Sequence, residues 1–160
     1  MMFKTKGTNY QVEYKNPWGD RLEFLKKYLP SDKSVVDFGC GNKEVLDYFN
    51  PSEYFGIDKY SSHADLIADL DNELSLTDHF DAGLVIGVLE YLDNPEFTIK
   101  NIKKFADKFY ILVSVAPKKD QWKQSFTKES IEEMLKKHFN LIEVIEYHRY
   151  VLCIVEDEKK

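Results

Sequence analysis

Val36-Asp37-Phe38-Gly39-Cys40-Gly41 is an apolar run that meets a carboxylate and then two glycines. Ser34 to Phe38 reads as a short buried strand, and the glycines read as the turn that ends it. Glycine suits such a turn because it lets the backbone approach a ligand with no Cβ in the way. A dinucleotide pyrophosphate would want backbone N–H groups, positive charge and the spacing G-x-G-x-x-G. The third glycine of that pattern would fall at position 44, which is Glu44. Asp37 and Glu44 both oppose a pyrophosphate, which argues against a nucleotide-dependent oxidoreductase. A ligand carrying an ammonium group suits the turn better.

Outward from this turn, strands and helices alternate. Upstream, Asn16-Pro17 is a cap followed by proline at a first helical position. Trp18, Leu22, Leu25 and Leu29 then recur at helical spacing until Pro30. Downstream, Lys43 to Asn50 reads as a short helix closed by Pro51. Tyr54 to Ile57 is a second strand ending at Asp58, and Asp65 to Ala68 a very short third ending at Asp69. Ala82 to Val88 is a fourth strand. Asn94-Pro95 repeats the helix start, and Phe109 to Val115 is an almost wholly apolar fifth strand. Thr127 opens a further helix. Leu141 to Tyr147 and Tyr150 to Val155 make an antiparallel hairpin turning at His148-Arg149. Apolar strands alternating with helices imply an α/β fold, a doubly wound, Rossmann-like, mainly parallel sheet covered on both faces. Such a sheet binds ligands beyond the carboxyl ends of its strands, where the strand order reverses.

Asp58 lies 17 residues past Gly41, at a strand end where an acid can accept hydrogen bonds from both hydroxyls of a ribose. Asp69 ends the next strand, placed to accept from an exocyclic adenine amine. Aspartate is also a good turn residue, but three at successive strand ends argue for a ligand.

At these residues the chain resembles the class I S-adenosylmethionine-dependent methyltransferases, closest to the small type-11 and methionine-biosynthesis W-like domains. The resemblance rests on DFGCGNK (Asp37 to Lys43), YFGIDKY around Asp58, ADL at Asp69, FDAGLVIGVLEYLDNP (Phe80 to Pro95) and SFTKESIEEMLKKHFNLIEVIE (Ser125 to Glu146). It runs from about Trp18 to Val155. It implies a seven-stranded sheet with the last strand antiparallel, and S-adenosylmethionine as cofactor. Carried over, Asp37, Gly39, Cys40 and Gly41 hold the methionine moiety, Asp58 the ribose, and Asp69 with the Leu70 backbone the adenine. Tyr60 either stacks on adenine or is a plain surface-loop tyrosine, and Gly87 and Val88 floor the sulfonium. Glu90 and Tyr91 are the catalytic candidates, Tyr91 standing where many relatives have histidine; as a bare residue, Glu90 is also an ordinary helix-start acid. Two departures stand out. Lys43 replaces the usual third glycine, which would leave the turn less close to the cofactor or send Lys43 into solvent. The stretch from Asp58 to Asp65 is too short for the usual helix, which thins one wall of the adenine pocket.

Composition bounds the rest. The 160 residues are 43% hydrophobic and 14% aromatic, enough for the core of one domain spanning 1–160. Within it, 1–16 is an N-terminal segment and 156–160 a polar tail; Tyr10, Tyr14 and Trp18 are read either as a lid over the cofactor or as ordinary core aromatics. A net charge of −6 disfavours a phosphate backbone, so no nucleic-acid partner is expected. Two cysteines, Cys40 and Cys153, give neither a disulfide framework nor a zinc spacing, and no metal is expected. The absence of a signal-like or membrane-spanning run points to a cytoplasmic protein with no membrane partner. The loop Ala116 to Lys123, with three lysines around Trp122, faces the acceptor side. It suits an anionic or sugar-like acceptor, or is simply a solubilising loop. No N-P-P-Y-type tetrapeptide follows the fourth strand, which by family resemblance argues against amino-group methylation of bases or glutamine. The acceptor is thus read as a small molecule or saccharide. A non-catalytic domain that binds a protein partner is the alternative.

Overall fold

A computed structural model describes residues 17–117 and 119–158. Tyr10, Tyr14 and the cap Asn16 lie outside the described residues, as does the side chain of Trp18. Helix α1 (Pro17–Leu25) comes first, followed by β1 (Ser34–Phe38), β2 (Glu53–Asp58) and β3 (Leu66–Ile67). Next are β4 (Phe80–Ile86), α2 (Pro95–Ile102), β5 (Ala106–Ser114), α3 (Lys128–Lys136), β6 (Asn140–Tyr147) and β7 (Tyr150–Glu156).

The strands form one seven-stranded sheet in the order β3-β2-β1-β4-β5-β7-β6. Strands β1 to β5 pair in parallel, and β7 runs antiparallel to both neighbours. The order reverses between β1 and β4, where a doubly wound sheet opens a crevice. Alternation along β5 feeds two cores. Phe109, Ile111 and Val113 meet Ile99, Ile102, Ile131 and Leu135 of α2 and α3 on one face. Tyr110 and Leu112 meet Leu22 and Leu25 of α1 on the other. Neither face is left to solvent, which is why these strands read as continuous apolar runs.

The helix starts follow their capping chemistry. The Asn94 side chain accepts the Phe97 N–H, and Thr127 and Ser130 form a reciprocal capping box. The stretch from Lys43 to Asn50 does not form the expected helix. Only a 3-10 turn, Glu44–Asp47, forms there, because Lys43 enters it in the left-handed conformation with no side-chain cap. Strand β4 sits two residues earlier than its apolar pattern suggests, since Gly87 at φ +66° breaks it. No helix among the described residues is long and apolar enough to cross a membrane.

Candidate functional site

The carboxyl ends of β1, β2 and β4 border a cavity of roughly 500 Å³. Gly39 and Asp58 line one side of it, with Lys59 and Tyr60. Ala68, Asp69, Leu70 and Asp71 follow along the end of β3, and Gly87 and Val88 close the end of β4. Tyr91, Leu92, Gln121 and Lys123 complete the wall. Asp37, Cys40, Gly41 and Glu90 lie behind this surface rather than on it. A second, more open trough, lined by residues 73–79, Lys104 and Phe105, lies at the opposite strand ends. It holds neither the glycine turn nor the strand-end acids, so the crevice at the reversal point is the better site.

Gly39 makes the close approach. At φ +88°, a Cβ placed on it would sit 2.3 Å from Val88 Cγ2, so the ends of β1 and β4 meet only because position 39 has no side chain. Asp58 then locks the turn to β2. Its Oδ2 accepts the Gly41 N–H at 2.9 Å, and its Oδ1 accepts those of Tyr60 at 2.8 Å and Ser61 at 3.0 Å. An acid at a strand end thereby organises two loops while still facing the cavity.

Asp37 is 4% exposed on β1. Tyr54, from the neighbouring strand, donates its hydroxyl to Asp37 Oδ2 at 2.5 Å. Burial drives the Asp37 carboxyl up to about 7, Tyr54 holds it back, the Asp58 charge adds to the rise, and Lys43 opposes it. Lys43 does not point into solvent. It adopts φ +62° and turns back to Asp65 Oδ2 at 3.0 Å, while the same carboxylate oxygen accepts the Gly56 N–H at 2.8 Å. The missing helix after β2 is therefore replaced by an ion pair that straps the glycine turn to the shortened crossover. Cys40 packs beneath, its Sγ 2.8 Å from where a Cβ on Gly56 would be, and burial pushes its thiol up to about 12. It is an inert filler rather than a nucleophile.

Asp69 begins a relay of capped turns. Its Oδ1 accepts the Asp71 N–H at 2.9 Å, and Asp71 Oδ1 accepts those of Asp93 at 2.9 Å and Asn94 at 3.3 Å. The stretches ADLDNEL and YLDNP, distant in sequence, are thus tied together at the start of α2. The other Asp69 oxygen pairs with Lys59 at 3.1 Å, and the Leu70 carbonyl accepts the Thr98 hydroxyl at 2.7 Å. Tyr60, 64% exposed at the rim, carries Lys59 Nζ 5.4 Å from its ring centre.

Glu90 is 2% exposed, and its Oε2 accepts the Ser114 N–H at 2.5 Å, joining the end of β4 to the end of β5. Its Oε1 has no hydrogen-bond partner, and burial raises its pKa against the pull of the Ser114 N–H and Arg21. Tyr91 does line the cavity, with the Trp122 indole beside its hydroxyl. Among the described residues no group of three or more His, Cys, Asp or Glu is arranged to hold a metal ion.

Lys59, Ala68 and Asp71 each flank a predicted residue, so sequence reasoning missed them only by a position. Gln121 and Lys123 belong to the loop read as facing the acceptor side, though nothing in the sequence singled them out within it. They arrive from the loop after β5, where two lysines are already engaged: Lys123 pairs with Asp93 at 2.7 Å, and Lys119 Nζ lies 5.5 Å from the Trp122 ring centre.

A family profile described as a methyltransferase domain matches residues 10–150. Protein 235L of Invertebrate iridescent virus 6, named as a methyltransferase, is 26% identical over 155 residues, covering 79% of this chain and 56% of that protein. The chain thus spans about half the length of that relative. Among solved structures, one from Thermotoga maritima described as a possible histamine N-methyltransferase superposes with a TM-score of 0.72 at 16% identity, covering 98% of this chain and 97% of the other. A TehB-like methyltransferase from Corynebacterium glutamicum gives 0.69 at 15%, covering 97% and 100%. A Haloferax volcanii methyltransferase complexed with the activator Trm112 gives 0.66 at 14%, covering 86% and 91%. At these identities the structures speak for the shared sheet alone.

Proposed function

The chain belongs to the class I S-adenosylmethionine-dependent methyltransferases, and on that premise we propose that its cavity holds the cofactor and directs the methyl group to a small-molecule or saccharide-type acceptor. One observation carries the reading: a glycine turn that could not tolerate a Cβ, beside strand-end carboxylates, at the point where the strand order reverses. The bound cofactor would supply a methyl group already activated by its sulfonium charge.

The residues fit that group. Among the described residues Asp58 Oδ2 accepts the Gly41 N–H alone, so its second lone pair is suited to a ribose hydroxyl. Asp37 is a buried carboxyl behind Gly39 to Gly41, suited to an ammonium. Asp69 accepts an amine after exchange with Lys59, Leu70 contributes its backbone, and Tyr60 at the rim suits stacking on adenine. Gly87 and Val88 form the floor, and Cys40 supports the turn from below. Beyond binding, such a site has to align the acceptor and exclude water, and a base is needed only if the acceptor must lose a proton. Tyr91, on the cavity wall, is the residue assigned to the acceptor; Glu90, through Ser114, is a positioning residue. The pairing of Lys123 with Asp93 and the seat of Lys119 over the Trp122 ring favour a neutral acceptor over an anionic one.

S-adenosylhomocysteine at ~100 times its dissociation constant should stabilise the protein by about 2.7 kcal/mol, read as a rise in Tm. No shift at millimolar ligand would overturn the reading. A second reading, a methyltransferase-like domain that docks a protein partner without catalysis, draws on Ile67, 64% exposed on the edge strand β3. Turnover on any acceptor would remove it.

A further inference from the structure

The loop between β5 and α3 brings Lys123 and Gln124 against the turn that follows β4. We propose that its residues 119–124 form a strap across the cavity, and that ligand enters and leaves by release of this strap. This rests on the cofactor reading above.

Three attachments define the strap. The backbone N–H groups of Lys123 and Gln124 both donate to the Glu90 carbonyl, at 2.8 and 3.0 Å. The Gln124 side-chain amide donates to the carbonyls of Leu92 at 2.9 Å and Asp93 at 3.2 Å. Lys123 Nζ pairs with Asp93 at 2.7 Å. Trp122 is buried between the two residues, Gln121 and Lys123, that line the cavity. All the hooks thus sit on the 90–93 turn, which itself carries Tyr91 and Leu92 of the cavity wall. The strap belongs to no strand or helix, and its ion pair is half-exposed on the Lys123 side and more so on Asp93, 54% and 67%. A segment held by a few loop hydrogen bonds and an exposed pair opens at far lower cost than the sheet beneath it.

The test is the kinetics of S-adenosylhomocysteine binding to the whole chain, comparing wild type with Gln124→Ala and Lys123→Met. Lys123 is exposed and Gln124 half-buried, so folding is checked by a Tm close to that of wild type. Loss of one such contact should raise both association and dissociation rates, dissociation by about three- to tenfold. Backbone amide exchange at Lys123 and Gln124 should also slow when ligand is added. A rise in dissociation with association unchanged marks a passive wall and overturns the opening step. Rates within twofold of wild type, or amide exchange indifferent to ligand, overturn the strap altogether. Absence of saturable binding by the wild-type chain overturns the cofactor reading with it, so the two failures are distinct.

Discussion

The two sides of the cavity are built differently. The side formed by β1, β2 and β3 consists of strand ends: Gly39, Asp58 and Asp69 each stand where a parallel strand stops, and the sheet ladder fixes their spacing. The side formed by residues 90–93 and 119–124 has no ladder through it. It is held by backbone groups of one turn captured by another, some thirty positions away. Rigid recognition belongs to the first side and opening to the second, because breaking strand pairs costs far more than breaking loop contacts.

The sharpest way to break that contrast is at Asp58. Asp58→Ala removes an acceptor shared by three backbone N–H groups, and charge-assisted hydrogen bonds of this kind are worth about 1.5–3 kcal/mol each. Because the three are not additive, a loss on the order of 5 kcal/mol is expected in denaturant unfolding, with binding of S-adenosylhomocysteine abolished in calorimetry. Asp58→Asn keeps one carbonyl oxygen and should recover part of the stability without recovering the affinity. Equal behaviour of the two variants, both near wild type, would mean that the strand-end side is not the organising one.

The same contrast explains what could be read from the sequence. Apolar runs gave the seven strands within about three residues at either end, since both faces of the sheet are buried and the pattern is local. The helices were less legible, the first ending at Leu25 rather than running on to Leu29 and no α-helix forming over 43–50. Strand-end acids were visible because a carboxylate after an apolar run is itself a local signal. Lys43 was visible only as a missing glycine; its turn back to Asp65 depends on where β2 places Gly56, which is tertiary information. Gln121 and Lys123 were legible only as part of a loop on the acceptor side, since the loop is fastened there by the Glu90 carbonyl, a group that every residue possesses.

Next in size is Asp37, whose carboxyl is pushed up to about 7 by burial. The folded chain therefore holds a proton that the unfolded chain has released between about pH 4 and pH 7. The corresponding stability is present in full below the unfolded value and is lost as pH rises through the folded one, a span worth roughly 4 kcal/mol. Asp37→Asn should flatten this dependence in unfolding curves taken from pH 4 to 8. Tyr54→Phe removes a hydrogen bond that favours the carboxylate, so the end of the decline should move above pH 7. In the cofactor reading an ammonium favours the charged form, so binding should tighten as pH rises through 7 and release a proton. A Tyr54→Phe profile superposable on wild type would sever the phenol from the titration.

Gly39→Ala should cost about 2 kcal/mol, through its positive φ and its 2.3 Å approach to Val88. The double variant Gly39→Ala/Val88→Ala separates the two causes. Removing the Val88 methyls relieves the clash but not the backbone conformation, so only part of the loss should return. Complete rescue would show that side-chain crowding, rather than the turn's conformation, makes glycine necessary here.

The smallest effect is the most discriminating for how the strand-end side replaces its missing helix. Lys43→Gly acts in two opposed directions. Glycine relieves a left-handed residue, a gain of about 1 kcal/mol, and removes the ion pair with Asp65. That pair is partly exposed, 23% and 37%, so it contributes about 0–1 kcal/mol. The two nearly cancel, and the net change in unfolding free energy should stay within about 0.5 kcal/mol. Ligand affinity need not cancel in the same way, because Lys43 also steadies the turn that presents Gly39. If Lys43→Gly leaves stability unchanged but weakens S-adenosylhomocysteine binding, and Asp65→Asn weakens it equally, the strap to the crossover acts on the cavity rather than on the fold. If both variants bind as wild type does, the ladder and Asp58 alone hold the turn, and the crossover is free to be as short as it is.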